Sequence, residues 1–585
     1  MRTPPILIRS MSVLLVGTLL LYGLPRLTTH STPAPATVSG RGLSGLDLFA
    51  QLLAASTDLG PIGPRQEISL LLTLPDPSAP RLAADLTAMY RPGSPRFHAY
   101  LTAQALAARY GPSSAAVRRV QAQLARLGLR ADWHPGNNWL LARGPAGRME
   151  AAFGVRVHWY RSRARPGGTR YYAAAQAPKL PAALRPLVAS TGRFTSYYEP
   201  SIDAVPSGGL APADLLAAYD IKPLRDLGLD GTGQTVAFYE FDGFAQSDLN
   251  TFTAKYGLPA MNPIIKAGPA LPPGGETTMD LEVVHEIAPG AKLVLYNADL
   301  SSAKSNADAL RLMLDLQSQM VNDNPGAIIS QSWGICEQEW GGQATADAVK
   351  NIYDHADALG ESVFVSTGDN GAYECLRHQP KGTPPLPQYR GVPLPSTAPG
   401  VTAVGGTRIS VSANQGWYNE TVWEDPIMTA GTGGGPSTYY AMPSWQQGPG
   451  VQDPQLNPHN MRAVPDVSAD ADPASGVAIF GPGGNSSSWS AGGGTSQSTP
   501  IWAGITALIN QYLQSKKLKG AGFLNPALYQ IAVSANPYRA FHDVTVGSNL
   551  YYPATAGYDM ASGLGTPDAW NLARDLESYQ QGGGQ

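Results

Sequence analysis

The sequence predicts an α/β protein in which a parallel sheet lies between helices, preceded by a smaller α+β domain. Three observations carry this. In the rear two thirds of the chain, continuous apolar runs recur: TVAFYEF (235–241), AKLVLYNA (291–298), GAIISQSWG (326–334), ESVFVSTGD (361–369) and GVTAVGGT (400–407). Helical segments alternate with them, the pattern of strands buried on both faces. In the front third the segments are shorter and mixed, and the polar, turn-rich stretch 195–212 separates the two textures. At 585 residues the chain exceeds one ordinary core, so two or more domains are expected.

Taken in order, Arg2 and Arg9 precede the apolar run Met11–Leu24, and Ala34-Pro35-Ala36 offers a small-residue cleavage site. This reads as a signal segment over 1–36, leading to secretion, or to attachment at the cell envelope if it stays uncleaved. Residues 25–45, rich in Pro, Ser, Thr and Gly, read as a linker. ISLLLTL (68–74) then predicts a strand and PRLAADLTAMY (80–90) a helix with proline at its start. SSAAVRRVQAQLARLG (113–128) predicts a capped amphipathic helix ended by Gly128, and NNWLLARG, VRVHWYR and TRYYAAA predict strands. Together these form a front domain within 37–200, with 201–585 as the rear domain.

The net charge of −3 conceals a division. Residues 41–200 hold roughly 20 Lys and Arg against 8 Asp and Glu, whereas 201–585 hold roughly 18 against 36. A basic front half joined to an acidic rear half implies that the two bind each other. A nucleic-acid partner is not expected, because no clustered Lys/Arg helix or stacking motif accompanies the basic charge. The two cysteines, Cys336 and Cys375, could form one disulfide after export or remain as buried thiols. Asn419-Glu420-Thr421 and Asn485-Ser486-Ser487 fit the glycosylation pattern.

Functional residues in parallel sheets gather at the carboxyl ends of strands. That draws attention to YEFDG, SWG and STGDN. GGGTSQSTP (492–500) opens an apolar helix, with Pro500 placed in its first turn and Ser496 near its positive end, where an alkoxide is stabilised. The same stretch also reads as an ordinary glycine-rich loop, and the G-x-S-x-G elbow is absent. Glu276 and Asp280, four residues apart in ETTMDLEVVHEI, share one helix face, so one of the two carboxyls tends to keep a proton. A solvated acidic helix start explains them as well, and Glu282 and Glu286 are expected to be of that kind. Asp369 in STGDNG is equally explained as a turn residue.

Several motifs in one order resemble the sedolisin family, the serine-carboxyl peptidases. SPRFHAYLTAQALAARYGPS (94–113) resembles the activation domain of these zymogens. ETTMDLEVVHEIAPGAKLVLY, STGDNG, VTAVGGT, PDVSADADP, GGTSQSTPIWAGI and FHDVTVG resemble its catalytic domain. The resemblance implies a subtilisin-like fold, a ferredoxin-like inhibitory prodomain, and protein or peptide substrates, with the chain a monomer. By it, Ser496 matches the nucleophile, Glu276 the general base, Asp280 the acid orienting that base, and Asp369 the acidic member of the oxyanion hole. Glu240 and Trp333 match a supporting network. The resemblance also implies one structural Ca²⁺ held by the carboxylates of Asp543 and Asp559 and the backbone oxygens of Val544, Thr555 and Gly557, an all-oxygen set suited to that ion. Thr555 stands where relatives commonly have glycine. A carboxylate near its reference pKa of about 4 suits proton transfer in acid, so an acid optimum is expected. A conventional subtilisin using His285 and an inactive binding protein on the same fold are the alternatives.

Overall fold

The computed structural model describes residues 53 and 56–582, apart from 163–169, 197–208, 304–305, 340–341, 376–388, 412–415, 427–428, 484–485 and 535–537. The expected signal segment, the linker, Asn485 and most of the stretch joining the domains lie outside the described residues. Residues 47–585 form one compact unit.

In the front domain, β1 (Ser56–Pro61) and β2 (Glu67–Thr73) are followed by helices α1 (Ala79–Met89), α2 (Ala103–Tyr110) and α3 (Ser114–Arg126). Ser113 caps α3 by accepting from Ala116 N, and Gly128, at φ +71°, ends it as expected. β3 (Arg130–Asp132), β4 (Trp139–Pro145), α4 (Ala146–Phe153), β5 (Val157–Ser162), β6 (Arg170–Ala174) and β7 (Ser190–Thr191) complete the domain. One antiparallel sheet runs β3-β4-β2-β7 and a second runs β1-β5-β6. The first sheet is apolar on both faces. Leu70, Leu72, Leu140 and Ala142 pack inward against Val117, Val120, Leu124 and Phe153. Leu71, Leu141 and Trp139 point the other way, into the core of the rear domain. Because successive strand residues face opposite sides, the unbroken ISLLLTL run requires a second surface to cover it.

That surface belongs to the rear domain. Its sheet is built from β8 (Thr235–Glu240), β9 (Ile264–Ala267), β10 (Lys292–Asn297), β11 (Ile328–Gln331), β12 (Ser362–Ser366), β13 (Thr402–Val411), β14 (Trp417–Val422) and β15 (Val467–Asp470). The order is β14-β13-β12-β11-β8-β10-β9, with β15 also paired to β13. All pairings are parallel except that of the edge strand β14. Helix α5 (Gly275–Ile287) and helix α8 (Thr495–Ser515) cover one face, packing on Val236 and Phe238. Helices α6 (Asn306–Asp323) and α7 (Gln343–Leu359) cover the other, packing on Ala237 and Tyr239. The front domain sits on this second layer, so the subtilisin-like α/β class and its α+β front domain are both observed.

Apolar and hydroxyl contacts carry the interface between the domains. Leu71, Leu82, Leu106 and Tyr110 join the α6–α7 core. Tyr90 packs on Phe523, donates its hydroxyl to Asp357 O at 2.5 Å, and accepts from Phe523 N at 3.1 Å. The backbone of Leu101 donates to Ala358 O at 2.8 Å. His134 approaches Asp315 at 3.5 Å. Among the described residues no helix is long and apolar enough to cross a membrane.

Candidate active site

The strand exits named from the sequence converge. Glu240 ends β8, Ser332 and Trp333 follow β11, and Asp369 lies three residues beyond β12. Helices α5 and α8 bring Glu276, Asp280 and Ser496 to the same end of the sheet. The N-terminus of α5 is tied to the exit of β8 by Asp242, whose carboxylate accepts from Thr277 N at 3.0 Å and from the Thr277 hydroxyl at 2.5 Å. A side chain at Gly274 would collide with that carboxylate, which is why a glycine stands there.

Helix α8 begins at Thr495, so Pro500 is its sixth residue and not part of the first turn, a correction to the sequence reading. The consequence is local. Proline has no N–H to return to the carbonyl four residues back, which is that of Ser496. The freed Ser496 carbonyl lies 3.3 Å from the Ser332 hydroxyl, which shares its one proton between that carbonyl and Asp280 Oδ2 at 2.8 Å. The Ser496 hydroxyl donates to Ser332 O at 3.5 Å and lies close enough to Glu276 to favour its ionised form. Ser332 was not singled out by sequence reasoning. Its signal was the SWG strand exit, of which only Trp333 was used.

Glu240, Glu276 and Asp280 are buried, with exposures of 0, 4 and 0%. Trp333 Nε1 donates to Glu240 Oε2 at 3.0 Å. Burial pushes Glu240 up to about 8, reinforced by neighbouring Asp242. Burial also pushes Glu276 and Asp280 well above the usual carboxylate range, and the charge of Glu240 reinforces both shifts. The expectation of a base near its reference pKa is therefore corrected. Three buried carboxyls without a cation partner share protons, and the one facing Ser496 is a stronger base than a free glutamate.

Next to Ser496 in the chain, Thr495 binds Asp369, whose Oδ1 accepts from Thr495 N at 2.8 Å and from the Thr495 hydroxyl at 3.0 Å. Thr495 Oγ1 in turn accepts from Gly368 N at 3.0 Å. Gly494, at φ +80°, lets the other Asp369 oxygen approach, since a Cβ there would lie 2.6 Å from Oδ2. His285 is buried, and its Nε2 meets Pro259 O at 2.8 Å on another face of α5. Glu282 and Glu286 are 0% and 1% exposed, so the expected solvated acidic face is also corrected.

Cys336 and Cys375 form a disulfide with Cα atoms 5.2 Å apart. Of the five expected calcium ligands, Asp543 Oδ2 accepts from Gly557 N at 3.0 Å and Asp559 Oδ2 from Thr555 N at 2.7 Å. Both carboxylates thus converge on the 555–557 turn. Gly557 has φ +80°, whereas Thr555 keeps a negative φ that a β-branched residue tolerates. Asp559 is buried at 6% exposure and is hydrogen-bonded also by Ala561 N and Ser562 N. An all-oxygen donor set with a buried carboxylate fits a hard cation. Asn419, the described glycosylation acceptor, is exposed.

The sheet, its two helical layers and the covering front domain define a subtilisin-like peptidase fold with an activation domain. Residues 54–196 match the Pro-kumamolisin activation domain, and residues 264–530 match the subtilase family. Kumamolisin of Bacillus sp. (strain MN-32) is 30% identical over 562 residues, covering 89% of this chain and 94% of its own. Sedolisin of Pseudomonas sp. (strain 101) is 29% identical, covering 84% of each chain. The solved Pseudomonas sedolisin, a serine-carboxyl proteinase complexed with two molecules of pseudo-iodotyrostatin, superposes with a TM-score of 0.54 at 29% identity. That match covers 64% of this chain and 100% of the solved one. The chain belongs to the sedolisin family of serine-type peptidases.

Proposed function

We propose that the protein is an exported, acid-acting endopeptidase made as a zymogen, in which Ser496 attacks the peptide carbonyl. Glu276 takes the hydroxyl proton, and Asp280, in proton-sharing contact with Glu240, holds Glu276 in place and spreads the charge it loses. Asp369, when protonated, donates to the tetrahedral oxyanion. Acidic conditions supply that proton and keep Glu240 and Asp280 protonated, which removes the like charges that raise Glu276, while the Ser496 hydroxyl favours the ionised form of Glu276.

The observation that carries the reading is the placement of Ser496 at the start of α8, beside a buried Glu276 and with Asp369 facing it across Gly494. His285 is turned toward Pro259, which disfavours a histidine-based subtilisin. Residues 37–200 act as the intramolecular inhibitor and are removed in acid by a cut between the domains. Asp543, Asp559 and the backbone oxygens of Val544, Thr555 and Gly557 would hold one Ca²⁺, which ties the C-terminal loops together and takes no part in the reaction.

The test is Ser496→Ala, assayed on peptides at acidic pH after removal of the front domain in trans. Peptide hydrolysis is expected to fall by at least about 10⁴-fold. Unchanged hydrolysis would overturn the assignment, and so would a neutral-to-alkaline optimum in the parent enzyme.

A further inference from the structure

The residue after the nucleophile is a glutamine whose amide is fully used. Gln497 is 0% exposed. Its Oε1 accepts from Val477 N at 2.9 Å, and its Nε2 donates to both Asp470 O and Asp470 Oδ2 at 2.9 Å. Two glycines make room for it: a Cβ on Gly492 would lie 2.5 Å from Oε1, and one on Gly476 would lie 3.0 Å from it. The ring closes through Ser475, whose hydroxyl donates to Asp470 Oδ1 at 2.6 Å. It closes again through Gly492 N, which donates to Val477 O at 2.7 Å. The glycine run leading to Ser496 is therefore pinned to the 475–477 segment by main chain at one point and by Gln497 at another.

The same segment holds the first described residues after the interdomain stretch. Leu210 N donates to Gly476 O at 2.7 Å, Ala478 N donates to Leu210 O at 2.8 Å, and Leu210 bridges Val477 in parallel. Gly209 lies so close that a Cβ would sit 2.3 Å from Gly476 O. The opening of the rear domain is thus a short strand laid on the loop that Gln497 grips.

We infer that Gln497 is a positioning residue for the nucleophile, and that Gly209–Leu210 acts through it as a clamp the mature enzyme must retain. The inference rests on Ser496 being the nucleophile. Without the amide, Val477 N loses its acceptor, Asp470 Oδ2 loses a donor, and the glycine run is joined to the 475–477 segment by main chain alone. Ground-state peptide binding is untouched, so the effect falls on kcat. A chain trimmed past Leu210 would lose the clamp and show the same defect.

The experiment compares Gln497→Met, Leu210→Pro, Leu210→Ala and the double variant Gln497→Met/Leu210→Pro, each matured in trans and normalised to folded protein. Gln497→Met and Leu210→Pro should each lower kcat about tenfold to a hundredfold with KM within about threefold. Leu210→Ala keeps the backbone bonds and should keep kcat. The double variant should be little worse than the poorer single, because both break one linkage. Parental kcat in Gln497→Met, a rise in KM alone, or multiplicative losses in the double variant would overturn the inference. Should Gln497→Met fail to fold, the contrast between Leu210→Pro and Leu210→Ala decides: equal kcat in the two overturns it. Ser496→Ala in the same assay separates this outcome from a wrong nucleophile.

Discussion

The two halves of helix α5 carry the same chemistry to opposite ends. Glu276 and Asp280 occupy its first half, Glu282 and Glu286 its second, each pair spaced by four residues and each at most 4% exposed. The first pair is surrounded by partners: the Ser332 hydroxyl, the Ser496 hydroxyl, and Glu240 with its Trp333 donor. In the second pair, among the described residues, Glu282 accepts only from Phe480 N at 2.8 Å, and both oxygens of Glu286 lack a hydrogen-bond partner. Burial raises all four proton affinities, Glu282 to about 9 and Glu286 well above its usual range. A perturbed carboxyl is therefore not by itself a catalytic one. What distinguishes the first half is a network that leads to an accessible hydroxyl.

The largest expected effect breaks the comparison directly. Glu276→Gln should lower kcat by about 10³-fold, within the usual range for losing a general base, whereas Glu286→Gln should change it less than about twofold. Rates at acidic pH on matured protein check both. A matching loss in Glu286→Gln would mean that the helix acts as one unit.

Next in size is the proposed calcium site, where another buried carboxylate, Asp559, is neither networked to Ser496 nor orphaned. Removing Ca²⁺ with a chelator should destabilise the mature enzyme by about 3 kcal/mol relative to saturation at a hundredfold excess over Kd. Thermal melts with and without the ion, repeated in Asp559→Asn, check this. The variant should melt at one temperature in both conditions.

The rear pair predicts a pH-dependent stability. The folded protein holds Glu282 and Glu286 protonated above the range where an unfolded chain loses those protons, so folding binds protons. Their contribution is fully present below the unfolded glutamate pKa of about 4.3 and is lost as pH rises through the raised folded values, for Glu282 about 9. Glu286→Gln should melt close to the parent at pH 4 and higher than it at pH 7, by about 2–4 °C for each kcal/mol recovered. Equal melting temperatures at both values would show that water or rearrangement satisfies Glu286.

Much of this was legible in the sequence because it is local. Apolar runs marked the strands, and ordered motifs brought Ser496, Glu276, Asp280 and Asp369 forward. What escaped were connections between distant segments. Ser332 lies 164 positions from the Ser496 carbonyl it serves, and no periodicity links them. The burial of Glu282 and Glu286 was hidden because acidic residues late on a helix ordinarily face solvent, and here the strand Ala478–Gly483 covers them. Pro500 illustrates the middle case. Its helix was expected, but its purpose is visible only when the Ser496 carbonyl is seen turned to Ser332.

The smallest expected effect concerns a histidine that reverses the logic of the buried acids. His98, in the FHAY stretch of the front domain, is 7% exposed, with Nδ1 unpartnered among the described residues. It stacks between Phe97 at 3.9 Å and Tyr100 at 5.3 Å, beside Tyr90, while Arg96 turns away to Asp85 and Lys519 approaches from the rear domain. Burial, reinforced by Lys519, lowers it to about 4. A docked histidine that resists protonation makes docking weaken as pH falls from about 6.5 toward that value, the sense required for release in acid. Titration of the rear domain's surface carboxylates alone would instead be spread over many groups and be sensitive to salt. His98→Leu should therefore leave docking at pH 7 unchanged and strengthen it at pH 5 on the order of tenfold, slowing acid-triggered processing. Inhibition of the matured enzyme by added front domain, measured at both pH values in low and high salt, separates the two. A pH dependence unchanged in His98→Leu and abolished by salt would assign release to the surface charges.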